Sequence, residues 1–587
     1  MVQMAIYASE MLAVEGLIRN HALGMLTQDD WTWLWYFDSA GAVQAQGFNI
    51  LAHTADFVLI LMLLQRFKLP QWGFPEGTNS EARLDVIRCL SPPRAEIPGP
   101  AGGTRDPARQ PVETFEVVGT GKDDLPKTMV VDPERILHKP SPILRGRRTM
   151  VLEAQDPGMP TMSYVAKWSY PETIRCNEAK AIWIAREIVE DMDKEALGSL
   201  TDVVAFKDFA HLSTDNIRRH LRLFSDPTQS LVDAEYHGER ILRCIFEVKL
   251  KPLTYLTGFE FVRGIIDCIN CHKLLWIGNG KHRIEHTDLS FWNLGVCPFS
   301  LRVRVRDLDL ARVVIVGQPS QPQGSERTGT IPFMALDLLD DAYWKGDLER
   351  LYRHDLEAFV WVTVYYAWAF NDEGVEDEAS PVQAWLTNDY DLCRLKKVTF
   401  LARQAIHELP DYKTSQGKDS TFGIVLSFAR RLSRWLNIER SLQSATNPHW
   451  PDPFDESADD EGVENEPLFS DGKHGDKLQD AVRVFEHLWD HLKGFRSVVK
   501  GVEVTPERVE YYMEREKKIE KLKAQRRAED DRLDREADDE ERERKKAKKA
   551  EEEEAREECD RLVDLYSPLL SYDRTWLHTY ILDDFLH

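Results

Sequence analysis

Residues 506–562 consist almost entirely of Glu, Asp, Lys, Arg and Ala, and this composition limits where a packed core can form. Apolar residues are too sparse to sustain heptad a and d positions beyond the first turns, while opposite charges recur three and four residues apart. The pattern predicts a solvated single helix rather than a stable coiled coil. Residues 563–587 turn apolar again, so we expect the segment 506–587 to be where a protein partner can bind.

The chain that precedes this helix has the composition of a folded protein. Of the 587 residues of the whole protein, 42% are hydrophobic and 16 are Trp, which is enough to build a sizeable core. Between residues 112 and 410, short β-type runs alternate with helical stretches at 172–190, 258–276 and 354–369. This alternation predicts a mixed α/β or α+β fold, and residues 1–27 are expected to be a helical extension in front of it.

Changes in composition divide the chain into segments. Pro and Gly density removes any hydrophobic period in one segment, and a run of acidic residues does the same in another. The predicted segments are the first part of the folded domain (28–90), a flexible Pro- and Gly-rich insertion (91–111), a β-rich part (112–250), a helical part (251–410), and a helical extension (411–505) with an acidic disordered loop (452–466).

Charge and cysteine usage narrow the possible partners and compartment. The formal charge of −24 argues against a broad basic surface, so nucleic acid is not an expected partner. Eight cysteines without regular spacing do not form a disulfide framework. The first residues lack the pattern of a secretory signal, and the longest apolar run, 57–64, is too short to cross a membrane. We therefore expect an intracellular protein, cytoplasmic or nuclear; RERKKAKKA at 542–550 resembles a nuclear localisation patch.

The segment EHTDLSFWNLGV spaces Asp288 and Asn293 five residues apart. It matches the protein-kinase catalytic loop H-R-D-L-x-x-x-N, with His286 in the first position and Thr287 where Arg is usual. In that loop the Asp orients the attacking hydroxyl and the Asn supplies a neutral oxygen to Mg²⁺. Asp307, in DLDLA, stands where the D-F-G aspartate belongs and is expected to be the main carboxylate ligand of Mg²⁺.

Two residues upstream fit the same template. Lys167 lies in SYVAKW, a β-type run similar to V-A-I-K, where its ammonium would bind the α- and β-phosphates. Its expected partner is Glu178, because Ile174, Ile182 and Glu178 share one stripe of the following helix and Glu178 puts a charge on the inward face. A buried carboxylate is costly unless it is paired, which favours an ion pair with Lys167.

Three further motifs stand in the required order. ILRGRRTMVLEA occupies the place of the Gly-rich loop and keeps only Gly146. GTIPFMALD resembles the end of an activation segment, with Asp337 at the glutamate of A-P-E. RHDLEAFVWV resembles the helix whose buried Asp, Asp355 in this chain, braces the catalytic loop from below.

Together these motifs resemble the fungal-type protein kinase family of basidiomycetes and ascomycetes. LWYFDSAGAV (34–43) looks like the family's W-Y-x-D-R-x-G block, the segment 251–276 looks like its hinge and following helix, and DLDLA looks like its D-F-D-L-A. The resemblance covers roughly residues 28–400. It implies a bilobal protein-kinase-like fold, with the N-lobe in 112–250 and the C-lobe in 251–410.

The resemblance also implies a chemistry. ATP is the expected phosphoryl donor, Mg²⁺ the expected metal, and a protein Ser/Thr or Tyr hydroxyl the acceptor, with Ser/Thr preferred. The implied catalytic residues are Asp288, Lys167, Glu178 and Asn293. Those implied for nucleotide and metal are Gly146, Lys167, Asn293 and Asp307, with Asn293 and Asp307 on the metal and His286 and Asp355 in structural roles.

Three departures from the template carry predictions. Thr287 cannot form a charge-assisted pair with a phosphate, so phosphorylation of the activation loop should be a weak switch. Asp309 replaces the D-F-G glycine and adds a second negative charge near the metal. In the thin glycine loop, Arg147 and Arg148 must point away from the nucleotide or touch it themselves, and affinity for ATP should be modest.

Other interpretations of the same residues stay open from sequence alone. A pseudokinase that uses the fold and the charged helix as a binding scaffold is the main alternative, and a small-molecule phosphotransferase is another. Cys268-Ile-Asn-Cys271-His272 has the letters of a c-type haem attachment site, although packing groups in a helix explain them as well. GTGK at 119–122 lacks the earlier glycine and the final Ser/Thr of a P-loop, which favours a turn.

Overall fold

The computed structural model describes 12 of the first 13 residues and most of the chain up to Tyr566. The described ranges are 2–13, 19–74, 114–222, 238–315, 329–346, 348–371, 374–405, 421–446 and 474–566. The predicted insertion at 91–111, the acidic loop at 452–466 and residues 567–587 of the tail lie outside these ranges. The chain separates into two compact units, Met1–Val509 and Glu510–His587.

An aromatic antiparallel sheet forms the beginning of the first unit. The strands of this sheet are β1 (His21–Gln28), β2 (Trp31–Asp38), β3 (Gly41–Gln44) and β4 (Phe48–Asn49). Helix α1 (Val2–Leu12) precedes them in the chain and helix α2 (Thr54–Gln65) follows. Strand β2 is central and pairs with the other three. Leu12 of α1 and Phe37 of β2 belong to one buried cluster, which fixes α1 on the sheet.

The prediction that residues 1–27 are helical is wrong for residues 21–27. β1 is a strand, with His21 opposite Asp38 and Gln28 opposite Trp31. Asp29, at a φ of 53°, reverses the chain between the two strands. The aromatic strand that follows supplies backbone partners and side-chain packing for β1, and this tertiary pairing outweighs any local preference of residues 21–28 for helix.

A closed barrel of six antiparallel strands follows. Its strands are β5 (Phe115–Thr120), β6 (Pro126–His138), β7 (Met150–Gln155), β8 (Tyr164–Ser169), β9 (Val203–Phe209) and β10 (Leu242–Val248), in the order β10-β8-β7-β6-β5-β9. One apolar cluster fills it, including Met129, Leu152, Ala166 and Phe246. Strand β8 lies between β7 and β10 and carries Lys167 opposite Ile245.

Two helices, α3 (Glu178–Met192) and α4 (Asp215–Arg222), interrupt the barrel strands. Helix α3 begins at Glu178 and not at 172, because Asn177 is its N-cap: the Asn177 side chain accepts hydrogen bonds from the backbone N–H groups of Ala179 and Lys180. The residues before it bind the barrel edge, where the Thr173 amide donates to the Glu239 carbonyl. Ile174 therefore precedes the helix and is 66% exposed, so it is not part of the inward stripe.

The chain after the barrel is mainly helical. Its helices are α5 (Gly258–Ile277), α6 (Asp341–Lys345), α7 (Tyr352–Ala369), α8 (Tyr390–Ala405), α9 (Thr421–Thr446), α10 (His474–His491), α11 (Lys493–Val499) and α12 (Pro506–Tyr566). Helix α7 is buried on nearly every face, as expected for a helix with other elements packed around it. The rings of Phe261 in α5 and Tyr366 in α7 stack 4.1 Å apart.

Short strands on either side of α5 hold the loops that carry the sequence motifs. Strand β11 (Lys251–Pro252) precedes α5, and between α5 and α6 lie β12 (His282–Glu285), β13 (Leu294–Val296), β14 (Val303–Val305) and β15 (Arg312–Ile315). β13 and β14 form a hairpin, and β12 pairs with β15. The two pairings bring residues 286–293 and 306–311 side by side.

Helix α12 makes up the described part of the second unit. Its exposed side chains form ion pairs at i,i+3 and i,i+4 spacing, such as Arg532 with Glu529 and with Glu536. None of the helices in the described part of the chain is both long and apolar enough to span a membrane.

Candidate active site

The loop between β12 and β13 holds the motif His286–Asn293 in a buried position. The Nε2 atom of His286 lies 3.1 Å from the Arg306 carbonyl oxygen, and burial lowers the pKa of this His to about 4. Thr287 has a φ of 63°, and its hydroxyl donates to the Leu310 carbonyl at 2.7 Å. Thr287 thus ties the loop to the DLDLA segment by a neutral hydrogen bond.

Asp288 and Asn293 contact each other within this loop. The amide nitrogen of Asn293 donates to the Asp288 backbone oxygen at 2.8 Å and to its Oδ2 at 3.3 Å. The Thr330 hydroxyl donates to Asp288 Oδ1 at 2.7 Å. Burial raises the pKa of Asp288 to about 6, and the Arg147 guanidinium and the Thr330 hydrogen bond oppose that rise.

Lys167, Glu178 and Asp307 come together although they lie in three separate motifs. The Lys167 Nζ atom is 2.9 Å from Glu178 Oε1 and 2.5 Å from Asp307 Oδ1. Burial opposes the charge on Lys167, but the surrounding carboxylates outweigh it and raise the Lys167 pKa. Burial likewise opposes ionisation of Asp307, yet Lys167 and Arg147 hold its pKa below the usual range.

Glu178 shares the cluster with two further carboxylates. Burial raises its pKa; Lys167 opposes the rise and Asp307 and Asp309 add to it. These three carboxylates each offer an oxygen within 4.8 Å of the others, the geometry of a potential cation site. Asp309 is buried, and its Oδ1 atom has no hydrogen-bond partner. Oxygen donors of this kind fit a hard cation such as Mg²⁺.

A backbone hydrogen bond places Asn293 next to the segment that leads into Asp307. The Arg306 amide donates to the Asn293 carbonyl at 3.1 Å, directly before Asp307. Because the Asn293 side-chain nitrogen binds Asp288, its side-chain oxygen is the atom left to ligate a metal.

The loop between β6 and β7 contains Gly146, Arg147 and Arg148. Gly146 has a φ of 147°, and its amide donates to the Ser39 carbonyl at 3.0 Å. The Arg147 guanidinium forms an ion pair with Asp309. Arg148 points the other way, into the N-terminal sheet, where its Nε donates to the Ser39 hydroxyl at 2.9 Å.

Asp355 sits in the first turn of α7 and is fully buried. One oxygen lies 3.2 Å from His272 Nε2 and the other binds Arg350. These two partners lower its pKa despite the opposing effect of burial. Among the described hydrogen bonds Asp355 makes none to residues 286–293. Burial lowers the pKa of His286 in that loop and the charge of Asp355 opposes this effect, and the predicted bracing role of Asp355 stays a prediction.

Asp337 also lies in a charged cluster. It pairs with Arg440 of α9 at 3.1 Å and with Arg353 of α7 at 3.3 Å. The activation-segment end is therefore joined to two helices.

Sequence reasoning missed two residues that face the cluster. Glu247 on β10 is buried, its Oε1 has no hydrogen-bond partner, and burial raises its pKa while Lys167 lowers it. His138 ends β6, and burial together with Arg306 lowers its pKa. A glutamate inside the apolar stretch CIFEV (244–248) is a signal for the first; nothing in the sequence marks His138.

Two other interpretations of the sequence do not fit the geometry. Cys268 and Cys271 are fully buried in α5, burial raises the pKa of both thiols, and the neighbouring His272 binds Asp355. Gly119 and Thr120 end a strand, and the chain turns into strand β6 and not into the helix that a P-loop requires.

Comparison with known proteins gives one match over most of the chain. The family described as fungal protein kinase matches residues 1–367. No curated protein matches the sequence. Among solved structures, the kinase PK-1 of Cydia pomonella granulovirus aligns at 16% identity over 49% of this chain and 84% of that chain, with a TM-score of 0.27.

Proposed function

Because the chain belongs to the fungal protein kinase family, we propose that it is an active Mg²⁺-dependent kinase that transfers the γ-phosphate of ATP to a Ser or Thr hydroxyl of a protein. One observation carries this proposal: carboxylate oxygens of Glu178 and Asp307 both lie within 3 Å of the Lys167 ammonium. An arrangement that uses residues from a strand, a helix and a distant loop supports a site for a charged ligand.

Each residue has a role that its surroundings support. Glu178 holds the Lys167 ammonium, which would bind the α- and β-phosphates. Asp288 would accept the hydrogen bond of the acceptor hydroxyl, and its pKa of about 6 leaves it ionised at neutral pH. Asp307 and the side-chain oxygen of Asn293 would hold Mg²⁺, which supplies charge stabilisation at the transferring phosphoryl group.

The electrostatics of the cleft support a bound cation. Lys167 and Arg147 are the positive groups that face Glu178, Asp307 and Asp309, and the partnerless oxygen of Asp309 remains. A buried carboxylate oxygen without a partner is unfavourable, and a divalent ion with a nucleotide would satisfy it.

The test is phosphoryl transfer from labelled ATP to a generic protein acceptor. Asp288→Asn should lower the rate by at least about 100-fold, the usual contribution of a positioned proton acceptor. Exposed Asp123→Asn is the matched control and should match wild type. Equal rates for wild type and Asp288→Asn would remove the assigned role. No transfer by wild type, with nucleotide still bound, would indicate a pseudokinase.

A further inference from the structure

Arg147 occupies an unusual place for a large cation. It lies in the loop between β6 and β7, its side chain is 29% exposed, and it forms an ion pair with Asp309, 162 positions later in the chain. Burial disfavours its charge, but Asp309, Asp307 and Asp288 outweigh burial and raise the Arg147 pKa. The guanidinium is therefore a fixed positive charge facing three acidic groups of the cleft.

The chain on both sides of Arg147 is anchored to the N-terminal sheet. The Gly146 amide donates to the Ser39 carbonyl, and Arg145 forms a backbone bridge with Ala40. On the other side, Arg148 binds the Ser39 hydroxyl. Arg148 also donates to the backbone oxygens of Leu12 at 3.1 Å and Arg19 at 3.0 Å. The backbone carbonyl of Arg147 accepts from the Tyr170 amide at 2.8 Å.

These anchors change what the loop can offer a nucleotide. A glycine-rich loop binds phosphates through backbone amides, but the amide of Gly146 is already used by Ser39. The Arg147 guanidinium carries five N–H donors in a planar fork that matches phosphate oxygens. It is the group of this loop that reaches the acidic residues of the cleft.

We propose that Arg147 binds the β- and γ-phosphates of the nucleotide in place of glycine-loop amides, and that Asp309 holds the guanidinium until Mg·nucleotide enters. The proposal rests on the proposed function, because it assigns a positioning residue to that same site. Exchange of partners keeps every buried charge paired, since Mg²⁺ takes the Asp309 carboxylate when the phosphates take Arg147.

The first test compares the affinities of ATP, ADP, AMP and adenosine in Mg²⁺ by isothermal titration. Arg147→Ala should weaken ATP and ADP by about 10- to 100-fold and leave adenosine unchanged, and Arg147→Lys should regain part of the loss. Lys122→Ala is the control: it removes an exposed cation in the turn between β5 and β6, outside this loop, and should bind like wild type.

The second test removes the counter-ion. In EDTA, Asp309→Asn should bind ATP several-fold more tightly than wild type, because Arg147 no longer has a competing carboxylate. The double variant Arg147→Ala/Asp309→Asn should lose that gain. This arm does not depend on the stability of Arg147→Ala alone.

The outcomes separate the two proposals. If wild type binds neither ATP nor adenosine, the proposed function fails. If wild type binds ATP and Arg147→Ala binds it equally well, or loses ATP and adenosine alike, Arg147 is only a structural residue. Absence of any gain in Asp309→Asn would also overturn the exchange of partners.

Discussion

Asp288 is the carboxylate whose ionisation should set the acid side of the pH profile. Burial raises its pKa to about 6, so the ionised, proton-accepting form is lost as the pH falls through that value. The rate constant kcat/KM should therefore fall below a pH of about 6. The Thr330 hydroxyl favours the ionised form by donating to Oδ1.

Thr330→Val tests this assignment. Removing a hydrogen bond to an ionised group should move the acid limb of kcat/KM to higher pH, by about one pH unit. Measured pH profiles of wild type, Thr330→Val and the exposed control Thr399→Val provide the comparison. A limb that stays in place in Thr330→Val would mean that another group titrates.

Asp355 should affect stability more than chemistry. Asp355→Asn leaves Arg350 buried without its counter-ion, and we expect a loss of about 3 kcal/mol in urea unfolding. The folded state depresses the Asp355 pKa, so its stabilisation is present above the unfolded pKa of about 4 and is lost as the pH falls. The gap between the two proteins should shrink below that pH. Exposed Glu503→Gln should behave as wild type, and an equal loss there would contradict the mechanism.

Local spacing predicts Lys167, Glu178 and Asp307 from three separate motifs, and the structure brings these side chains together at the Lys167 ammonium. Local spacing does not predict residues whose contacts depend on a partner elsewhere in the chain. The Arg147 and Asp309 pair was not foreseen, because two departures from the template gave no sign that each satisfies the other. Glu247 faces the cluster only through the register of β10 on β8.

At the scale of elements, tertiary partners decided what local patterns could not. Residues 21–28 form a strand because residues 31–38 lie opposite them, and helix α3 starts at its Asn177 cap and not at 172. The family match over residues 1–367 includes the N-terminal sheet, which the structure joins to a helix of the barrel region. Asp38 of β2 binds Arg218 of α4 at 2.8 and 2.6 Å.

Asp38→Ala tests this link between sheet and barrel. The change removes the Asp38 carboxylate from Arg218, whose side chain is 12% exposed, and we expect a loss of about 2–3 kcal/mol in urea unfolding. Exposed Asp30→Ala in the β1–β2 turn is the control. Equal stability of the two variants would show that the contact contributes little.

At the scale of the whole molecule, a ligand that binds only the folded protein must raise the unfolding midpoint. Mg·ATP at 100 times its dissociation constant should stabilise the chain by about 2.7 kcal/mol, seen as a higher midpoint in a thermal scan. Lys167→Met should abolish this rise. Lys122→Met, in the GTGK turn, should keep the rise of the midpoint. Loss of the rise in Lys122→Met would instead indicate a phosphate site at that turn.

The contacts of Arg148 with the N-terminal part of the chain determine where a shortened version of this protein can begin. A fragment trimmed to the recognisable motifs would start near the barrel and discard the carbonyls of Leu12 and Arg19 and the hydroxyl of Ser39, which are the hydrogen-bond acceptors of Arg148. Without these acceptors the buried Arg148 guanidinium would have a high free-energy cost, which favours misfolding and inclusion bodies. An expressed fragment of this protein should therefore begin before α1 (Val2–Leu12), well ahead of the first candidate site residue, Gly146.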